Sequence, residues 1–365
     1  MILFHNIITF ILLSTILAGL LAIPVISLLY RFKVVRKIEV DFSTVIEERK
    51  DKYGTPIMGG LIFIITILLI NYIFNYNIYT RIPLHLFSAA ALLGAADDLL
   101  NIFGNTRRVK TIDRAWKLVR VHKSIPMRIF YFLTLPWYLF STIMHMFESN
   151  PGSGLRAHEK ILIQALIGGI LGIWVYRVIG SSLWIPFIGS YDIGAWMIPF
   201  AIFVFMGTTN AVNVSDGMDG LAGGIGMISA MTFMLIAMFT YNYPVALLAG
   251  SGIGALLTYL YFNVNPARVQ MGDTGSFALG AFLTILSFAV GKPLLLLIAC
   301  FPFVIEMLST IIQSISRRLF GKRILQMAPL HHHFEMIGWR EDKVVVRFWI
   351  FAIACNILAL WLAFF

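Results

Sequence analysis

Two neighbouring carboxylates, Asp97 and Asp98, close an apolar run that ends Gly94-Ala95-Ala96. Like charges side by side at a membrane boundary cost free energy that a cation or a transferable proton relieves. The plainer account is a pair of solvated acids at a water-facing helix end. Asn210-Ala-Val-Asn213-Val-Ser-Asp216-Gly-Met-Asp219-Gly220 sets two Asp-Gly steps three residues apart, bringing both acids near one turn of backbone. A capped interhelical turn explains one Asp-Gly well and the whole set poorly. Met271-Gly272-Asp273-Thr274-Gly275-Ser276 puts a glycine-bounded acid beside hydroxyls. That suits Mg²⁺, which takes one or two carboxylates and keeps positions for phosphate oxygens; capping of a helix start is the alternative. His331-His332-His333-Phe334-Glu335 lies among Lys322, Arg323 and Arg340. Consecutive imidazoles splay apart, so phosphate binding or proton transfer suits them better than a three-His metal site. An exposed polar loop is the bland account. Lys52-Tyr-Gly54-Thr55-Pro56-Ile57-Met58-Gly59-Gly60 can hold a phosphate through charge and backbone N–H groups, although Lys there also marks topology.

These groups are carried by a chain of 365 residues, 59% apolar and only 13% charged, with a mean hydropathy of +0.84. An average soluble domain has about 25% charged residues, so a soluble fold is excluded, as are a disordered chain and a disulfide scaffold. Cys300 and Cys355 both fall within apolar runs. The fold class expected is an all-α integral membrane protein. Ten runs are long enough to span: approximately 7–30, 57–76, 82–100, 161–179, 194–212, 220–240, 244–262, 275–291, 293–316 and 344–364. The first reads as an uncleaved helix, being long and followed by Arg31, Lys33, Arg36 and Lys37.

Formal net charge is +10, and 25 of the 28 basic residues fall on one side of this ten-helix scheme. That side is therefore cytoplasmic, and both termini are extracytoplasmic. All five polar groups fall on the cytoplasmic face, where unrelated caps and loops would scatter. Topology absorbs the basic excess, so no nucleic-acid partner is implied. One run resists the scheme: 125–147 is apolar and long enough to cross, but a crossing there would invert everything downstream. Pro126 and Pro136 interrupt it, and a membrane-surface helix or shallow re-entrant excursion is expected. Gly168, Gly169 and Gly172 suggest close helix packing. Glu306, inside an apolar run, is expected to face the bundle interior.

Acids for Mg²⁺, bases for phosphates and a membrane scaffold point to phosphoryl transfer onto a lipid phosphate. The residues resemble the phospho-N-acetylmuramoyl-pentapeptide-transferase family of polyprenyl-phosphate transferases. Met327-Ala-Pro-Leu-His331-His332-His333-Phe-Glu335-Met-Ile-Gly338-Trp339, followed by Val346-Arg347-Phe348-Trp349, carries the resemblance most specifically. Asn210 to Leu221, Met271 to Ser276, Gly54 to Gly60 and Asp97-Asp98 match its other motifs in order.

The resemblance implies transfer of phospho-MurNAc-pentapeptide from UDP-MurNAc-pentapeptide to undecaprenyl phosphate, giving lipid I and UMP in peptidoglycan synthesis, with Mg²⁺ as cofactor. It implies a multi-pass protein of the bacterial cytoplasmic (inner) membrane, forming one polytopic domain over 1–365. Asp97, Asp98, Asp273 and His331 correspond to the catalytic set, with Asp97 the base toward the lipid phosphate and Asp273 the metal ligand. Lys52, Thr55, Lys160, Asn210, Asn213, Asp216, Asp219, Asn263, His332 and His333 correspond to substrate-binding positions. A homodimer is compatible with it.

Three features depart from the family pattern. Gln270 stands where the family usually has a Phe, a stacking partner for uracil. Ile57 replaces a Thr. An insert at 107–150, rich in Arg and Lys, has no family counterpart; a polybasic segment on anionic membrane lipid is its plain reading, at ~1 kcal/mol per basic residue near the surface. The nearest rival function is GlcNAc-1-phosphate transfer to a polyprenyl phosphate, against which the unbroken His331 to His333 argues. A transporter would place its ionisable residues near the midplane instead.

Overall fold

A computed structural model describes residues 2–35, 54–104, 112–145 and 154–365. The described chain is mostly helical, with one β-hairpin. Among the described residues, eight helices are long and apolar enough to cross a membrane: Phe4–Arg31, Arg81–Phe103, Ala157–Ile179, Gly194–Ser215, Leu221–Phe239, Tyr243–Asn263, Gly272–Ala289 and Glu341–Ala363. This is an all-α membrane protein with multiple spans.

The other two expected spans take different forms. Residues 57–76 yield helix α2, Leu61–Phe74, following α1 at Ile2–Arg31. Its 14 residues rise roughly 21 Å, short of a ~30 Å hydrocarbon core. Its end is polar: Asn71 donates to Ser251 Oγ at 2.6 Å and Asn75 to the Pro244 carbonyl at 2.8 Å. Residues 293–316 divide at Cys300 into α12 (Leu295–Ala299) and α13 (Phe301–Phe320). Pro302 explains the break, since it lacks the N–H that would reach the Ile298 carbonyl and its ring crowds that carbonyl.

The insert forms three helices, α4 (Ile112–Val121), α5 (Ile125–Leu133) and α6 (Leu135–His145), after α3 (Arg81–Phe103). At 9 and 11 residues, α5 and α6 rise roughly 14 and 17 Å, each too short to cross alone. The chain breaks between them at Thr134, just before Pro136. Trp137 and Phe140 of α6 lie edge-on to His158, at ring separations of 5.0 and 6.5 Å. His158 belongs to α7, Ala157–Trp174. Arg107, Arg108 and Lys110 lie outside the described residues.

A two-stranded antiparallel hairpin, β1 (Ser182–Ile185) and β2 (Gly189–Asp192), pairs Ser182 with Asp192; the sequence reading did not anticipate it. The bundle continues through α8 (Met197–Ser215), α9 (Leu221–Phe239), α10 (Tyr243–Asn263) and α11 (Gly272–Ala289), and ends with α14 (Leu330–Met336) and α15 (Glu341–Ala363). Helix α11 lies at the centre, buried from Thr274 to Ala289 and packed against α3, α8 and α9. Gly168 and Gly172 let α7 close on α8, where added Cβ atoms would stand 2.9 and 2.7 Å from Ile202 Cα and Ile198 Cα. Two side-by-side apolar helices gain little from hydrophobicity inside lipid, so such backbone approach supplies the contact.

Candidate active site

The site is assembled on the N-terminus of α11. The stretch before it pairs with the Gly54–Gly60 turn: Gln270 N–H donates to the Pro56 carbonyl, and Gly59 N–H donates back to the Gln270 carbonyl, both at 2.8 Å. Thr55 is buried in this turn, and Lys52 lies outside the described residues. Asp98 reaches across from α3. Its carboxylate accepts the Asp273 N–H at 3.0 Å, the Thr274 N–H at 2.8 Å and the Thr274 hydroxyl at 2.6 Å. An anion on otherwise orphaned N–H groups at a helix start is favourable for both charge and hydrogen bonding. The approach is possible because α3 carries Gly94 at the crossing. A Cβ there would lie 2.6 Å from Thr274 Cα and against the Asp273 carbonyl.

With α3 and α11 so joined, Asp97 and Asp273 face one cation. Lys160 Nζ lies 2.5 Å from Asp97 Oδ2 and 3.3 Å from Asp273 Oδ2. Asp97 is fully buried, its other oxygen accepting the Leu155 N–H at 2.6 Å, and Asn101 approaches Oδ2 at 3.3 Å. Asp273 Oδ1 accepts from Asn213 Nδ2 at 2.8 Å, and Asn213 also donates to Ser276 Oγ. Asp273 stays partly open, with 26% of its side chain exposed. Among the described residues no group of three or more His, Cys, Asp or Glu is arranged for a metal. Two carboxylates converging on one shared positive charge nevertheless fit Mg²⁺, which needs few protein ligands when phosphates supply the rest.

A second polar group hangs from the same helix, α8, one turn further on. Asp216 N–H donates to the Asn213 carbonyl, and the turn from Asp216 to Gly220 follows. Asp219 is buried; its carboxylate accepts the Ala267 N–H at 3.1 Å, and its own N–H donates to Glu341 Oε1 at 2.6 Å. Asn265 Nδ2 links the two acids, at 3.4 Å from Asp219 and 3.2 Å from Glu341. Asn263 clamps the same turn, accepting the Gly220 N–H at 3.0 Å and donating to the Val269 carbonyl at 2.9 Å. His331 and His332 are buried on α14, which replaces the exposed loop considered from sequence, and their rings meet at Nε2 rather than splaying apart. His333 stands apart, its Nδ1 accepting the Gln326 N–H at 3.3 Å.

The expected residues therefore divide. Asp97, Asp98, Lys160, Asn213 and Asp273 meet directly. Asp216, Asp219, Asn263, His331 and His332 surround the adjoining turn. Asn210 is spent one helical turn away, donating to Gln164 Oε1 at 2.8 Å and to the Met206 carbonyl. Glu341, Asn265 and Asn101 were not picked out from sequence. Glu341 carried a usable signal, an acid opening the last apolar helix.

Residues 152–291 match the model of Glycosyl transferase family 4. The chain is 35% identical over 316 residues to the phospho-N-acetylmuramoyl-pentapeptide-transferase of Caldanaerobacter subterraneus subsp. tengcongensis, covering 86% of this chain and 84% of that one. The enzyme of the same name from Clostridium novyi is 34% identical over 340 residues, 92% and 89% of the two chains. That of Clostridium perfringens strain 13 is 33% identical over 352 residues, 96% of each. This chain belongs to the phospho-N-acetylmuramoyl-pentapeptide-transferase family. As a family member it is a transferase. The Glycosyl transferase family 4 match takes in Lys160, Asn213, Asp216, Asp219 and Asp273, and stops short of Asp97 and His331.

Proposed function

We propose that the chain transfers phospho-MurNAc-pentapeptide from UDP-MurNAc-pentapeptide to undecaprenyl phosphate, releasing lipid I and UMP. The observation that carries this reading is the meeting of Asp97, Lys160 and Asp273 at the end of apolar helices. Mg²⁺ held by Asp273 would neutralise charge on the diphosphate and its leaving group. Asn213 fixes one Asp273 oxygen and leaves the other toward Lys160. Lys160 balances the carboxylates before substrate arrives and is placed to take a phosphate oxygen afterwards. An oxygen of the lipid phosphate forms a bond to the sugar-linked phosphorus while the bond to UMP breaks, the electron pair leaving on UMP.

Direct attack is favoured over a phospho-aspartate route because Asp97 is enclosed, with hydrogen-bond donors on both oxygens. A lipid phosphate has a second pKa of about 6, so it is largely dianionic at neutral pH and needs little help from a base. Trapping a phosphorylated Asp during turnover would overturn the direct route.

The same reading gives ten crossings, with α2 and α12–α13 as the two irregular ones, and both termini extracytoplasmic. The site then faces the cytoplasm of a bacterium from its cytoplasmic (inner) membrane, and the chain works as one polytopic domain with the 107–150 insert on anionic lipid at that face. Purified protein should release UMP from UDP-MurNAc-pentapeptide and a polyprenyl phosphate only with Mg²⁺ present. Release with UDP-GlcNAc alone would reassign the sugar.

A further inference from the structure

Glu306 is a fully buried carboxylate on α13. It accepts the His331 backbone N–H at 3.1 Å and faces His331 Nδ1 at 2.9 Å. His331 Nε2 faces His332 Nε2 at 3.2 Å, and His332 Nδ1 faces Glu335 Oε2 at 3.1 Å. Four side chains thus form one line: carboxylate, imidazole, imidazole, carboxylate.

Each of the three links needs one hydrogen between its heavy atoms. Ionised carboxylates bring none, and each neutral imidazole brings one. Three links therefore hold one proton more than two ionised acids and two neutral rings carry together. That count is the same whichever group formally owns each proton. The four side chains then carry a net charge of −1 rather than −2. Remove the third proton and one link sets two lone pairs against each other where little water can screen them.

The line lies directly beneath the Asp216–Asp219 turn. A Cβ on Gly217 would fall against His331 Nε2 and 3.2 Å from His332 Nε2, so the bare glycine lets the turn rest on the two rings. The charged groups gathered there are Asp216 and Asp219 of the turn, Glu306 of α13, Glu335 of α14 and Glu341 of α15. His331 thus acts from below the turn, with both ring nitrogens engaged.

We propose that Glu306, His331, His332 and Glu335 share three protons along this line, and that Glu306 is a positioning residue which, through His331, sets the Asp216–Asp219 turn for the nucleotide substrate. The kinetic part rests on the transferase reading above; the proton count does not.

The test uses the full chain in detergent, labelled with ¹⁵N-histidine, with His331→Gln and His332→Gln spectra to assign the rings. At pH 7.5, a unit above the ordinary imidazole pKa of about 6.5, one of the two rings should be doubly protonated. Two neutral rings at that pH would overturn the proposal. Glu306→Gln keeps an acceptor for Nδ1–H and removes the charge. It should abolish the doubly protonated signal and raise KM for the UDP-sugar about tenfold, the size expected when a hydrogen bond to a charged group becomes one to a neutral group. KM for the lipid phosphate should stay unchanged. Equal rises in both KM values, or a lower melting temperature alone, would mean that Glu306 only fills the core. If Glu306→Gln fails to fold, Glu335→Gln reads the other end of the same line. Absence of UMP release from the unaltered protein would sink the transferase reading and leave the spectra to decide the proton count.

Discussion

Replacing Asp98 with Asn asks whether this carboxylate serves the reaction or the helix that carries Asp273. It accepts three hydrogen bonds, from Asp273 N–H, Thr274 N–H and the Thr274 hydroxyl. Asn has one acceptor oxygen in place of two. Its better orientation leaves the amide oxygen on Thr274 and turns the NH₂ toward the Asp273 N–H, donor against donor. The bond lost is one to a charged group, about 1.5–3 kcal/mol, and the stranded buried N–H costs about 1–3 kcal/mol more. Together these come to about 2.5–6 kcal/mol, concentrated at the α11 N-terminus. Thermal unfolding in detergent should show a fall in melting temperature for Asp98→Asn. Thr274→Val should fall less, and the double mutant should show a coupling of about 0.5–3 kcal/mol, as for groups sharing one network. Activity should drop in step, because Asp273 moves with its backbone. The reasoning fails if Asp98→Asn melts like the unaltered protein, shows no coupling to Thr274, and yet has no activity. Asp98 would then act on substrate itself.

Gly94→Ala should cost at least about 1–3 kcal/mol, because the new methyl meets the Asp273 backbone rather than a side chain that can turn away; normal melting and normal UMP release would contradict this. Asn213→Ala should raise the Mg²⁺ concentration for half-maximal activity by about 10–100-fold, the usual loss when a residue holding a metal-binding carboxylate is removed. An unchanged Mg²⁺ titration would show that Asp273 does not need that hydrogen bond. Asp97→Asn should keep more activity at alkaline pH than Asp273→Asn does, since the lipid phosphate sheds its second proton near pH 6 unaided. Equal, total loss at every pH would give Asp97 a larger share of the chemistry.

The acids of the site were legible because buried charge in so apolar a chain is costly and has few bland explanations. Asp97, Asp98 and Asp273 stood out by type alone. Lys160 did not stand out by type and entered only through the family resemblance; its place between Asp97 and Asp273 depends on how α7 packs against α3. Glu306 was visible as an anomaly, but its bond to His331 joins positions 25 apart, which no local pattern encodes. The long crossings were read from hydropathy, whereas α2 ends early because Asn71 and Asn75 find partners on α10. The break at Cys300 was in principle readable from Pro302, and the strong apolar run around it masked the signal. Lys52 falls among residues that the structure does not describe.

The glycine crossing of α3 over α11 has a consequence for how such a protein can drift. Side-chain packing can be retuned in small steps, a methyl added here and removed there. A spacing made by two backbones with nothing between them has a single setting. The carboxylates of the site are referenced to that setting, so most of the bundle around it is free to change its residues as lipids and temperatures change. Relatives that share roughly one position in three with this chain carry the same family name.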